Sequence, residues 1–74
     1  VLFSIYPNPA FNIISIKGVD LGSRVEIYDA IGRKVLLSQI GVNNNTIDVS
    51  ELKGIYFVNI ICQEKRITKI LVIK

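Results

Sequence analysis

The sequence contains no histidine, no methionine and no tryptophan, and its single cysteine is Cys62. Without histidine, the side chain most often used for acid–base catalysis is missing. A lone thiol forms no internal disulfide, and there is no Cys/His cluster to hold zinc. Cys62 also has no imidazole to activate it as a nucleophile. Near the end of an apolar stretch it reads as a small core hydrophobe. No glycine-rich phosphate-binding loop is present. The six carboxylates (Asp20, Glu26, Asp29, Asp48, Glu51 and Glu64) fall mostly in predicted turns or on outward strand positions. The chain therefore offers no catalytic, cofactor-binding or metal-ligating set, and an enzyme is not expected.

Long apolar runs are missing as well. A membrane-crossing helix needs about 20 consecutive apolar residues, and barrel strands need roughly 9–11 with aromatic girdles. No signal peptide is visible. Because no methionine occurs, Val1 is not expected to be a natural start. The 74 residues are expected to be one domain, 1–74, cut from the C-terminal end of a longer protein.

What the sequence does have is branched aliphatic bulk. Half of it is apolar, with isoleucine and valine foremost. Such side chains are stiff in helices and pack well on pleated surfaces, so the composition favours strands. The net charge of +3 is spread along the chain. The pairs Arg33-Lys34 and Lys65-Arg66 each adjoin a turn, and no basic stripe interleaves with aromatics as a nucleic-acid surface requires.

Turn residues cut the apolar runs at regular intervals, the rhythm of a sandwich. The first run, Leu2 to Tyr6, ends at Pro7-Asn8-Pro9. Two prolines remove two backbone donors, and Asn8 is held extended before Pro9, so this segment caps an edge. A second run spans Asn12 to Lys17. The third, Arg24 to Tyr28, alternates, with Val25 and Ile27 inward and Arg24 and Glu26 outward. Asp29-Ala30-Ile31-Gly32, with Gly32 at positive φ, makes a hairpin into Arg33 to Gln39. There Val35 and Leu37 are expected inward, and Lys34 and Ser38 outward. Gly41 to Asn45 is loop-like, and a fifth strand lies around Thr46 to Val49. After the corner Ser50 to Gly54, Ile55 to Gln63 is apolar on both faces except at Asn59, which suits a central strand. Arg66 to Lys74 is the seventh. Seven short strands without a helix predict an immunoglobulin-like antiparallel β-sandwich.

A glycan-binding or accessory module shares that architecture and is the alternative function. Its exposed aromatic platforms would have to be Tyr6 and Tyr28. Asn44-Asn45-Thr46 matches a glycosylation sequon, a pattern frequent by chance. Leu52-Lys53-Gly54-Ile55-Tyr56 resembles a tyrosine corner, in which the hydroxyl bonds backbone just upstream.

The order of the motifs carries a further resemblance. Ile5-Tyr6-Pro7-Asn8-Pro9-Ala10 is followed by Val25-Glu26-Ile27-Tyr28-Asp29 and Gly32-Arg33-Lys34-Val35. Then come Ile47-Asp48-Val49-Ser50 with Leu52, Gly54-Ile55-Tyr56-Phe57-Val58, and Lys69-Ile70-Leu71-Val72-Ile73-Lys74. In this order and spacing, from about Phe3 to Lys74, the chain resembles the type A C-terminal sorting domains of the type IX secretion system of Bacteroidetes. The resemblance implies a non-catalytic address label on the C-terminus of a secreted or surface protein. Its implied partners are the outer-membrane translocon, a sortase-like surface protease that removes it, and the N-terminal cargo of the same chain. Its implied route passes through the periplasm to the surface or medium, with no cofactor and no nucleic acid.

A label read by a machine needs a rigid surface, and uncovered edges offer backbone groups to a partner strand. The last strand carries Ile67, Leu71 and Ile73 on one face and Ile70 and Val72 on the other. Both faces being apolar predicts burial in the sandwich or beneath something docked. The residues expected to serve recognition are the turn formers Pro7, Asn8, Pro9, Gly32, Arg33 and Gly54. Tyr56 and the last-strand residues Lys69, Leu71, Ile73 and Lys74 complete them. A weak homodimer is also compatible with so apolar a small chain.

Overall fold

The computed structural model describes residues 4–19, 21–41 and 45–74. Leu2, Phe3, Asp20 and part of the Gly41–Asn45 loop, including the first position of the sequon, lie outside the described residues. Seven strands follow in order: β1 Ser4–Tyr6, β2 Ile13–Lys17, β3 Arg24–Tyr28, β4 Lys34–Gln39, β5 Thr46–Asp48, β6 Gly54–Cys62 and β7 Lys65–Ile73. They form two antiparallel sheets, β1-β2-β5 and β4-β3-β6-β7. This is the predicted β-sandwich.

Period-two alternation supplies the core. Ile14, Ile16 and Ile47 of the smaller sheet are buried with Val25, Ile27, Val58, Ile60, Leu71 and Ile73 of the larger one. Loop residues Ala10, Ile40 and Val49 fill the ends. The long run predicted as a central strand is indeed flanked on both sides, by β3 and β7. β7 is the outermost strand, and Ile70 on its outer face is 59% exposed. Its outer face is therefore exposed at Ile70 but half-buried at Val72, while Leu71 and Ile73 on the inner face are buried.

Two expectations fail in the β3–β4 hairpin. Leu37, expected inward, is 57% exposed, and Ser38, expected outward, is half-buried. A β-bulge is the cause. The register runs Ile27 to Leu36 but then Tyr28 to Lys34, leaving Val35 as the extra residue. One inserted residue inverts the facing of everything beyond it. Val35 and Leu36 both pack against the core, and Leu37 lies opposite Glu26 on the outer face.

Glu26 does sit on that outer face, as predicted, yet it is buried. Arg24 approaches its carboxylate at 3.5 Å and Lys34 at 3.3 Å, while the Tyr28 hydroxyl donates to it at 2.9 Å. These three side chains cover it. The Tyr28 hydrogen bond first, then Lys34 and Arg24, hold its carboxyl below the ordinary range against the opposing effect of desolvation.

Candidate recognition surface

The Pro7–Ala10 segment lies along the free edge of β7. Pro7 and Pro9 have no N–H and cannot pair as a strand, so side-chain and later backbone groups substitute. The Asn8 amide nitrogen donates to the Ile70 carbonyl at 3.1 Å, and the Asn8 side-chain oxygen accepts from the Val72 N–H at 3.1 Å. Ala10 then takes over with its backbone, donating to the Val72 carbonyl at 2.7 Å and accepting from the Lys74 N–H at 2.8 Å. Ala10 is fully buried, so its small side chain admits this close approach. The clip closes the edge from Ile70 to Lys74, the capping role the two prolines predict.

The β5–β6 corner is fixed from within. The Asp48 side chain accepts from the Ser50 N–H at 2.8 Å, and Ser50 holds its carboxyl below the ordinary range. The Leu52 N–H donates to Val49, and the Val49 N–H donates to Asn12. The Tyr56 hydroxyl donates to the Lys53 carbonyl at 3.1 Å and accepts from the Lys53 N–H at 3.3 Å. That is the tyrosine corner its sequence context resembles. Gly54, at φ +112°, starts β6 in a conformation that side chains rarely adopt.

The β3–β4 turn is organised by Asp29. One of its carboxylate oxygens accepts from the N–H groups of Ile31, at 3.1 Å, and Arg33, at 2.8 Å. The other takes the Arg33 guanidinium at 3.1 Å. The Arg33 N–H is the main reason its carboxyl lies below the ordinary range. Gly32 turns back at φ +89° as expected. Asp29 was not singled out from the sequence. The available signal was an aspartate opening a turn, a residue type whose side chain bonds backbone amides just downstream.

Strand register shows that these three regions share one pole of the sandwich. Tyr28, which leads into the Asp29 turn, pairs with Phe57, near the start of β6. Gly54 pairs with Ile73, and Tyr56 with Leu71. Pro7, Asn8, Pro9, Gly32, Arg33, Gly54, Tyr56, Leu71, Ile73 and Lys74 therefore belong to this end or the strands just below it. Leu71 and Ile73 are buried, so they support the surface from beneath. Lys69 is elsewhere: it pairs with Val58, midway along the sheet. The opposite pole carries the Gln63-Glu64 turn and the Gly22–Ser23 segment.

Neither tyrosine proposed as a glycan platform is an unobstructed plate. The Lys17 ammonium sits 5.8 Å from the Tyr6 ring centre, and the Tyr28 hydroxyl is engaged by Glu26. Among the described residues, no group of three or more His, Cys, Asp and Glu is placed to hold a metal. Cys62 is half-buried at the end of β6.

A family model described as the secretion system C-terminal sorting domain matches residues 4–74. A comparison with curated protein sequences finds no match. The family match spans every motif from the proline clip to the last strand. This chain belongs to the secretion-system C-terminal sorting domains, tails that act as non-catalytic signals for export to the cell surface or beyond.

Proposed function

We propose that residues 1–74 form one sorting domain read at its motif-bearing pole by the outer-membrane translocon of a type IX system, in a Bacteroidetes host. The N-terminal cargo reaches the periplasm first, and the folded tail then directs it across the outer membrane. A sortase-like surface protease afterwards removes the tail. One observation supports the pole as the surface that is read. Motifs scattered from position 7 to position 74 converge there, joined by bonds such as Asn8 to Val72. Pro7, Asn8, Pro9, Gly32, Arg33, Gly54 and Lys74 shape it, with Tyr56, Leu71 and Ile73 holding its strands in place. Lys69 acts separately, at the edge of β7. A weak dimer would join copies through exposed outer-face residues such as Ile55 and Ile70.

The test fuses the chain, behind a short linker, to a periplasmic fluorescent reporter in a Bacteroidetes host. Reporter is expected at the surface or in the medium when the translocon is intact, and in the periplasm when it is deleted. Retention in both strains refutes the sorting role and moves the glycan-binding alternative forward.

A further inference from the structure

The two sides of the sandwich are closed differently. On the β1/β7 side, the Pro7–Ala10 clip covers the junction of the sheets. On the other side, β4 and β5 are both outermost strands, and no strand pairing joins them among the described residues. A cleft of about 250 Å³ lies there, lined by the aliphatic residues Val35, Leu36 and Leu52 together with Asp48, Ser50 and Glu51. Drug-sized ligands occupy roughly 300–1,000 Å³, so this space suits one or two side chains.

The β4 bulge supplies two of the three aliphatic lining residues. By inserting Val35 into the register it places two consecutive aliphatic residues against the inter-sheet space. Bulges re-aim side chains in this way beside binding sites. The charge of the cleft is equally specific. In a chain of net charge +3, Glu26 pairs with Arg24 and Lys34, and Asp29 with Arg33. Asp48 and Glu51 enter no such ion pair among the described residues. Ser50 keeps the Asp48 carboxyl in its charged form by direct hydrogen bonding.

We infer that this cleft binds a lysine or arginine side chain presented by an extended segment of a partner protein lying along β4. Lysine and arginine carry an aliphatic stem and a charged head. The stem matches Val35, Leu36 and Leu52, and the head matches Asp48 and Glu51. An added strand turns every second side chain toward the same face, so it can direct the cation inward while its backbone pairs with β4. The inference does not depend on the sorting role, because binding is measured on the purified chain without export.

The probe is a blocked seven-residue peptide of alternating threonine and valine with a central lysine, titrated into the isotopically labelled 74-residue chain. Amide shifts are expected at Val35, Leu36, Ser50 and Leu52. Glu51→Gln should weaken binding by up to about five-fold, the upper end for one exposed ion pair. Glu51→Lys should reverse the preference, toward a peptide with central glutamate. Glu51 is exposed, so these variants keep the fold, which their spectra report directly. The inference fails if the lysine and glutamate peptides bind the unaltered chain equally. It fails too if the shifts map to β7, or if no shift appears at millimolar peptide.

Discussion

Asn8 and Val72 stand 64 positions apart, yet the Val72 N–H donates to the Asn8 side-chain oxygen at 3.1 Å. With the companion bond to Ile70, the Asn8 amide makes the two contacts a neighbouring strand would otherwise provide. An exposed sheet edge invites pairing with other chains. Here a single side chain occupies that stretch of it.

Asn8→Ala should therefore destabilise the domain by about 1 kcal/mol, the net value of a typical hydrogen bond. Urea denaturation measures it. Hydrogen exchange at the Val72 amide should accelerate selectively, while exchange at Leu71, which faces β6, stays slow. Uniform acceleration would mean that the clip has no local role.

Tyr56→Phe removes the hydroxyl that joins Lys53 to the start of β6 and should cost about 1 kcal/mol. The readout is the melting temperature. An unchanged melt would show that the corner holds without it.

The β4 bulge makes opposite predictions for two adjacent leucines. Leu37→Thr, on the outer face, should change stability by no more than about 0.5 kcal/mol. Leu36→Ala, packed against the core, should cost about 2 kcal/mol, the low end for aliphatic truncation. Denaturation midpoints for the two variants decide it, and the reverse order would restore the uninterrupted alternation.

Acid should weaken the fold through Glu26, Asp29 and Asp48. Each has its folded-state pKa below the ordinary value, 4.5 for Glu26 and 3.8 for the aspartates. A carboxyl lowered by folding adds stability above its unfolded pKa and loses it as pH falls through the folded value. The loss should begin near pH 4.5 and deepen below 3.8. Glu26→Gln should flatten the upper part of that decline in melts recorded from pH 6 to pH 2.

Most of the architecture was legible because alternation and turn chemistry agree. Val25 and Ile27 faced inward as their spacing required, and Gly32 took the positive φ that its hairpin needs. Tyr56 bonded backbone as its context implied. What escaped was set between distant strands. Lys34-Val35-Leu36-Leu37 reads as simple alternation, and only pairing with β3 reveals the extra residue. Glu26 looked solvated because Lys34 joins Arg24 and Tyr28 over it only once β3 and β4 are paired. The turn-forming candidates were legible as turns, and their sharing of one pole, with Lys69 lying apart, came from register. Nothing in the sequence marked the cleft, since Leu36 and Glu51 lie 15 positions apart.

The bonds from Asn8 to Ile70 and Val72 span 62 and 64 positions. Contacts over such separations form against the entropy of closing a long loop. A chain broken off before Ile70 has nothing for Asn8 to hold, no partner for Ala10, and no Leu71 or Ile73 in its interior. Completion of the sandwich thus measures the chain's own length. The pole is therefore complete only when residues near both ends of the domain are present and folded together.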